Sequence, residues 1–300
     1  MNSAEHEKIL SRARAAFLGL ALGDALGATT EFMTATEIRH QYRLHKNIIG
    51  GGWLGIKPGQ VTDDTEMSLA LAHAVVTAGS WNLVRIADHF VAWMRSKPID
   101  IGATVRKGIR AYLHKGVLEM PPNEWDAGNG AAMRMCPVAL VSYGGRELLK
   151  RYTIEQAHLT HHHPLSDAGC LCIGNMLHVA MAGGDRFALH ELTRQLVEQH
   201  PNFRFNNYNG QASGYIVDTL RTVFHFLFTT ADFEECLVGV VNQGGDADTT
   251  GAIAGMIAGA LYGEEGLPRH WLKKLNRTVR TDIEQLTPQL LALAPAFNQT

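Results

Sequence analysis

Two glycine ladders limit this chain more than any other feature. Gly19, Gly23 and Gly27 recur every fourth residue near the N-terminus; Gly251, Gly255, Gly259 and Gly263 do so near the C-terminus, with alanine in many places between. A spacing of four puts each set on one helix face. Each glycine costs about 1 kcal/mol against alanine in a helix interior, so a whole ladder requires compensation. Close backbone approach between packed helices supplies it, and would bring the acidic ends of the two segments together.

Apolar residues elsewhere fall mostly three and four apart, as at Ile9, Ala13, Ala16 and Leu20 or Met67, Leu71 and Val75. This periodicity predicts an all-α chain, with helices near 5–28, 34–43, 64–79, 83–96, 102–114, 131–143, 153–160, 165–182, 187–199, 212–228, 232–241, 249–262 and 282–294. The glycine-, proline- and asparagine-rich stretches 44–62, 115–130 and 200–211 read as binding loops. No linker or shift in composition divides the chain, so a single compact multi-helix domain over 1–300 is expected, its core drawn from 46% apolar residues.

A formal net charge of −2, with no basic run, argues against nucleic acid or an anionic membrane as partner and for a small-molecule site. Cys136, Cys170, Cys172 and Cys236 form no CxxC pair and read as reduced thiols of a cytoplasmic protein. The polar start, Met1 to Lys8, is unlike a signal peptide, and Asp24 and Gly263-Glu264-Glu265 interrupt the longest apolar runs, so no membrane insertion is expected.

Two acidic boxes carry the chemistry. Thr62-Asp63-Asp64-Thr65-Glu66 precedes a helical pattern and could be an N-terminal cap, with Glu66 completing a capping box for Asp63. Asp246-Ala247-Asp248-Thr249 opens the second ladder in the same way. Each box holds one carboxylate more than a cap requires. Together they offer four carboxylates and two threonine hydroxyls, an oxygen-only set suited to Mg or Mn rather than Zn. An EF-hand reading fails because Ile257 stands where the loop needs its bidentate Glu. Glu31 follows the first ladder, and is either solvated or placed to orient water or grip a ribose; Asp100 is locally a cap for the helix at 102–114. Gly128-Asn129-Gly130-Ala131-Ala132-Met133-Arg134 places flexible backbone before a helix, a candidate phosphate cradle. His161-His162-His163 reads as an exposed loop, with one or two imidazoles free to donate to an anionic ligand.

In order and spacing, Gly23-Asp24-Ala25-Leu26-Gly27 with Glu31, the Thr62–Thr65 box, Gly128–Arg134, Thr160-His161 and Gly244–Gly251 resemble the ADP-ribosylglycohydrolase family over nearly the whole chain. Gly50–Leu54, Lys57–Gln60, His163–Asp167 and Gly210–Thr219 are similar to the branch that acts on the ADP-ribosylated nitrogenase iron protein. The resemblance implies an all-helical fold with a binuclear Mn2+ (or Mg2+) centre that hydrolyses the bond between ADP-ribose and an arginine side chain. By motif it implies Thr62, Asp63, Asp64, Asp246, Asp248 and Thr249 as metal ligands and Glu31 and Asp100 as catalytic acids at the ribose. Gly128, Asn129, Gly130, Ala131, Met133, His161 and Tyr215 would then hold the ligand. It further implies a monomer, a PII signalling protein as partner and, through it, an ammonium channel that recruits the enzyme to the membrane. Two alternatives share these residues: a glycohydrolase for serine-linked ADP-ribose or O-acetyl-ADP-ribose, and a non-catalytic ADP-ribose-binding module.

Overall fold

The two glycine ladders meet face to face. In the computed structural model, which describes residues 3–210 and 212–298, the first lies on α1 (Ser3–Gly27) and the second on α12 (Ala247–Tyr262). The two helices run antiparallel with their backbones in contact. A Cβ on Gly19 would stand 2.2 Å from the Gly255 carbonyl oxygen, one on Gly23 1.9 Å from that of Gly251, and one on Gly259 2.1 Å from that of Ala15. No side chain fits in such gaps, which is the compensation the ladders required. Gly263 departs from this pattern: a Cβ there would meet nothing within 4 Å, and its φ of 71° ends α12 in the left-handed region. The packing face therefore stops at Gly259.

Between these two helices in sequence come α2 (Ala35–Tyr42), α3 (Asp63–Ala78), α4 (Leu83–Arg95), α5 (Ala103–Lys115), α6 (Met135–Val141) and α7 (Arg146–His158). The chain continues through α8 (Pro164–Met181), α9 (Arg186–Gln199), α10 (Ile216–Thr229) and α11 (Phe233–Val241); α13 (Arg269–Leu272) and α14 (Arg277–Ala292) close it. Among the described residues there is no β-strand, only isolated bridges. Helices α3, α6, α8, α10, α11 and α14 pack around the central pair, and the core buries Phe17, Phe224 and Phe233. Among the described residues no helix is long and apolar enough to cross a membrane. All four cysteines are free and buried.

The all-α expectation holds, and the boundaries that differ have local causes. The segment 131–134 is a turn and α6 starts only at Met135, because the Arg134 guanidinium grips the Gly130 carbonyl oxygen at 3.0 Å and holds the chain out of the helix. Residues 212–215 are not helical, since Asn129 N–H donates to Gly214 O (3.0 Å) and Ile216 N–H to Ala127 O (3.0 Å); α10 begins at Ile216. Helix α7 starts seven residues before the expected Thr153, where Leu149 and Tyr152 bury their side chains. Asn276 caps α14 five residues upstream of the expected start, and the short α13 was not anticipated. Gln211, within one of the motifs above, lies outside the described residues, as do Met1 and Asn2.

Candidate metal centre and ligand pocket

The packing of α1 against α12 brings four chain segments to one place. Glu31 follows the end of α1, Thr62, Asp63 and Asp64 open α3, Asp246, Asp248 and Thr249 open α12, and Asp100 lies in the turn before α5. The turn ahead of α12 locks them together: Gly245 N–H donates to Met33 O (2.8 Å) and Phe32 N–H to Gly245 O (2.7 Å). Gly244 and Gly245 have φ of 69° and 64°, and a Cβ on either would lie within 1.9 Å of a carbonyl oxygen, so only glycine fits.

Neither acidic box caps its own helix with a side chain. Thr62 and Asp246 occupy the N-cap positions of α3 and α12, yet neither side chain makes a capping hydrogen bond. Helix α3 is capped from across the core by Asp24 of α1, whose carboxylate accepts from Thr62 N–H (3.0 Å), Thr65 N–H (3.1 Å) and both threonine hydroxyls. The expected capping box fails, because Glu66 accepts from the Trp93 indole N–H at 2.8 Å instead. Nor does Asp100 cap α5, which starts after Gly102; its carboxylate accepts from Ile101 N–H at 2.8 Å. Freed from capping, the excess acids face one another.

The resulting cluster is short of positive charge. Thr62 Oγ1 lies 2.9 Å from Asp24 Oδ1, 3.1 Å from Asp64 Oδ2 and 3.4 Å from Asp248 Oδ2, but it has one proton to give. Among the described residues, buried Asp64 Oδ1 has no hydrogen-bond partner of its own, although Thr249 draws the Asp64 carboxyl partly back toward its ordinary range. Burial, then mutual repulsion among the carboxylates, pushes Asp63, Asp64 and Asp248 well above the usual carboxylate range. Burial also raises Asp24 to about 6, against the pull of its Thr65 and Thr62 hydrogen bonds. Glu31 rises to about 7, again by burial first, although the Trp53 indole N–H donates to it at 2.6 Å; Asp100 and Asp246 add repulsion. Carboxylate oxygens of Glu31, Asp246 and Asp248 lie within 4.8 Å of one another. A largely buried, oxygen-only cluster with a carboxylate oxygen short of a donor fits hard divalent cations.

Above the acids opens a cavity of about 560 Å³, a size suited to a nucleotide-like ligand. Glu31, Asp63, Asp100, Asp246, Asp248 and Thr249 form one side; Gly128, Asn129, Gly130, Met133 and His161 form the other. Asn129 ties the sides together, donating to Asp246 Oδ2 at 2.7 Å and to Thr219 Oγ1 at 3.0 Å. Thr62 and Asp64 are fully buried, as is Ala131, and these three do not line the cavity. Tyr215 pairs by backbone with Gly128 and is half-exposed, also off the cavity lining. The expectation of an exposed loop at 161–163 fails for His161, which is 3% exposed because its ring packs against the cradle glycines. A second cavity of about 620 Å³, lined by Arg146, Asp167 and His200 among others, contains none of the expected residues.

Three participants went unnoticed as site residues in the sequence. Asp24 had a signal, the one charged side chain in the apolar stretch 15–28. Trp53, which holds Glu31, and Arg134, fully buried behind the cradle, had none beyond their places in motifs.

Fold and site together define an all-helical hydrolase class, and the chain belongs to the ADP-ribosylglycohydrolase family, whose sequence profile matches residues 5–298. It is 52% identical to the ADP-ribosyl-[dinitrogen reductase] glycohydrolase of Rhodospirillum rubrum, across 94% of this chain and 96% of that protein. It is 32% identical to the ADP-ribosylarginine hydrolase Tri1 of Serratia proteamaculans, across 95% and 80% of the two chains. A solved structure titled as an ADP-ribosylglycohydrolase-related protein complex superposes with a TM-score of 0.83 at 30% identity, covering 96% of this chain and 99% of that one.

Proposed function

We propose that this protein, acting as one domain over 1–300, hydrolyses the N-glycosidic bond between ADP-ribose and an arginine side chain of the nitrogenase iron protein, using divalent cations. The names of the Rhodospirillum and Serratia relatives support the target protein and the arginine linkage respectively. The observation that carries the metal dependence is the buried Asp64 carboxylate, packed among Asp63, Asp24 and Asp246 with its Oδ1 lacking a hydrogen-bond partner among the described residues.

In this reading Thr62, Asp63 and Asp64 hold one side of a pair of Mn2+ (or Mg2+) ions, and Asp246, Asp248 and Thr249 the other. Such ions supply Lewis acidity and fixed positive charge next to the ribose. The chain's own groups do the rest. The backbone of 128–133 and the His161 imidazole bind the diphosphate, with Tyr215 contacting the ligand from the rim. Trp53 orients Glu31, which positions the attacking water and takes up its proton. Asp100, its proton affinity raised by burial, lies on the guanidinium side and delivers a proton to the departing guanidine as the C–N bond breaks and water oxygen joins the anomeric carbon.

Incubation with arginine-ADP-ribosylated iron protein tests this directly. Free ADP-ribose should appear with Mn2+, stop with EDTA and return when Mn2+ is restored. Release only from serine-linked ADP-ribose would overturn the arginine linkage; binding without release would indicate a non-catalytic module. A PII partner, with recruitment through an ammonium channel, belongs to the same reading, and a pull-down with PII under high ammonium that recovers nothing would remove it. Free, buried cysteines support a cytoplasmic location.

A further inference from the structure

The fully buried Arg134 joins both halves of the cradle wall. Its Nη1 donates to Gly130 O at 3.0 Å, its Nε to Gln156 Oε1 at 2.7 Å, and its Nη2 to Gln156 O at 2.8 Å and Thr160 Oγ1 at 2.7 Å. Thr160 Oγ1 in turn lies 2.8 Å from His161 Nδ1. The direction of each bond in this chain follows from which groups carry protons. A guanidinium has donors and no acceptor, so Thr160 must accept from Arg134. The Thr160 hydroxyl is buried, and His161 Nδ1 is the one acceptor within its reach among the described residues. Were Nδ1 protonated, the hydroxyl hydrogen would be stranded without a partner, which buried polar groups avoid. Nδ1 must therefore be bare, and the ring proton must sit on Nε2.

We propose that Arg134 and Thr160 form a hydrogen-bond relay that fixes His161 as the Nε2–H tautomer, so that the pocket wall presents a neutral donor to an anionic oxygen of the ligand. Nε2 has no hydrogen-bond partner among the described residues, and His161 lines the cavity. The cradle is shaped around the ring: a Cβ on Gly128 would lie 3.0 Å from Nε2, and one on Gly130 2.8 Å from Cε1. Burial and the nearby Arg134 charge push the imidazole down to about 3, so it stays neutral and donates without adding charge. Arg134 and Thr160 are positioning residues, and His161 serves as a polar clamp rather than an acid or base. This inference rests on the proposed function only in taking the anion to be the diphosphate of ADP-ribose.

Long-range proton–nitrogen correlation spectra of the full chain with labelled histidine, the His161 signals assigned by their loss in H161N, read the tautomer without any ligand. The expected result is a proton on Nε2 and a bare Nδ1 in the wild type. T160V should let the proton distribute over both nitrogens and weaken ADP-ribose binding by about ten-fold, the loss of one hydrogen bond to a charged group, while T160S restores both. An Nδ1–H wild type overturns the relay whether or not the variants fold, as does a T160V protein that keeps both tautomer and affinity. A wild type with Nε2–H that fails to bind ADP-ribose would defeat the functional reading and leave the relay standing.

Discussion

Asp64→Asn should reduce ADP-ribose release by more than about a hundred-fold, the scale of losing groups that secure a catalytic metal, while raising the melting temperature of the metal-free protein. The two effects have one cause. Asparagine matches aspartate in shape, so the α3 entrance keeps its packing, and it removes one charge from a cluster in which Asp63, Asp64 and Asp248 already repel. Without cations, that charge opposes folding; with them, it is a ligand. A capping role predicts neither effect, since asparagine and aspartate cap equally well. Thermal melts with EDTA and with Mn2+, set beside turnover, separate the cases: the wild type should gain much more from Mn2+ than the variant. Equal gains in both proteins would remove Asp64 from the metal centre.

Gly23→Ala should destabilise the fold by about 3 kcal/mol, the upper end for overpacking a dense interior, and lower the melting temperature by roughly 6 °C or more. The added methyl would stand 1.9 Å from Gly251 O and 2.9 Å from Ala252 N, so α1 and α12 must separate. Separation shifts Asp24 and Glu31 on the α1 side away from Asp246 and Asp248 on the other, so activity should fall further than the fraction unfolded explains. Gly263→Ala is the control from the same four-residue repeat. A Cβ there meets no neighbouring atom, and the cost is confined to its own backbone, whose φ of 71° with ψ of 179° favours glycine, so a loss of about 1–3 kcal/mol is expected with activity per folded molecule unchanged. Equal losses of activity per folded molecule at both positions would mean that close helix approach is not what the ladder serves.

The comparison of these two glycines shows what spacing alone can convey. The ladder identified the α1–α12 contact and the meeting of its acidic ends because glycine at every fourth residue has few other uses. It could not show that Gly263 is a terminator, since a left-handed φ leaves no periodic trace. The acidic boxes were legible by their surplus carboxylates, but the reason they are free of capping duty was not: Asp24 caps α3 from 38 residues away, a long-range hydrogen bond that no local pattern encodes. Residues 131–134, the end of the cradle, fall in an expected helix and form a turn for the same kind of reason. Arg134 bonds to Gly130 O and Thr160 Oγ1, and overrides the helical preference of Ala131, Ala132 and Met133 through contacts 26 residues distant.

The central claim is that the carboxylates at the α3 and α12 entrances exist to hold divalent cations. Equilibrium dialysis against Mn2+, with free ion read by electron paramagnetic resonance, tests it most directly. The account predicts saturable binding of about two ions per chain, from an oxygen-donor set of this size, reduced by Asp64→Asn and by Asp248→Asn. A wild-type protein that stays folded and binds no Mn2+ or Mg2+ would contradict it.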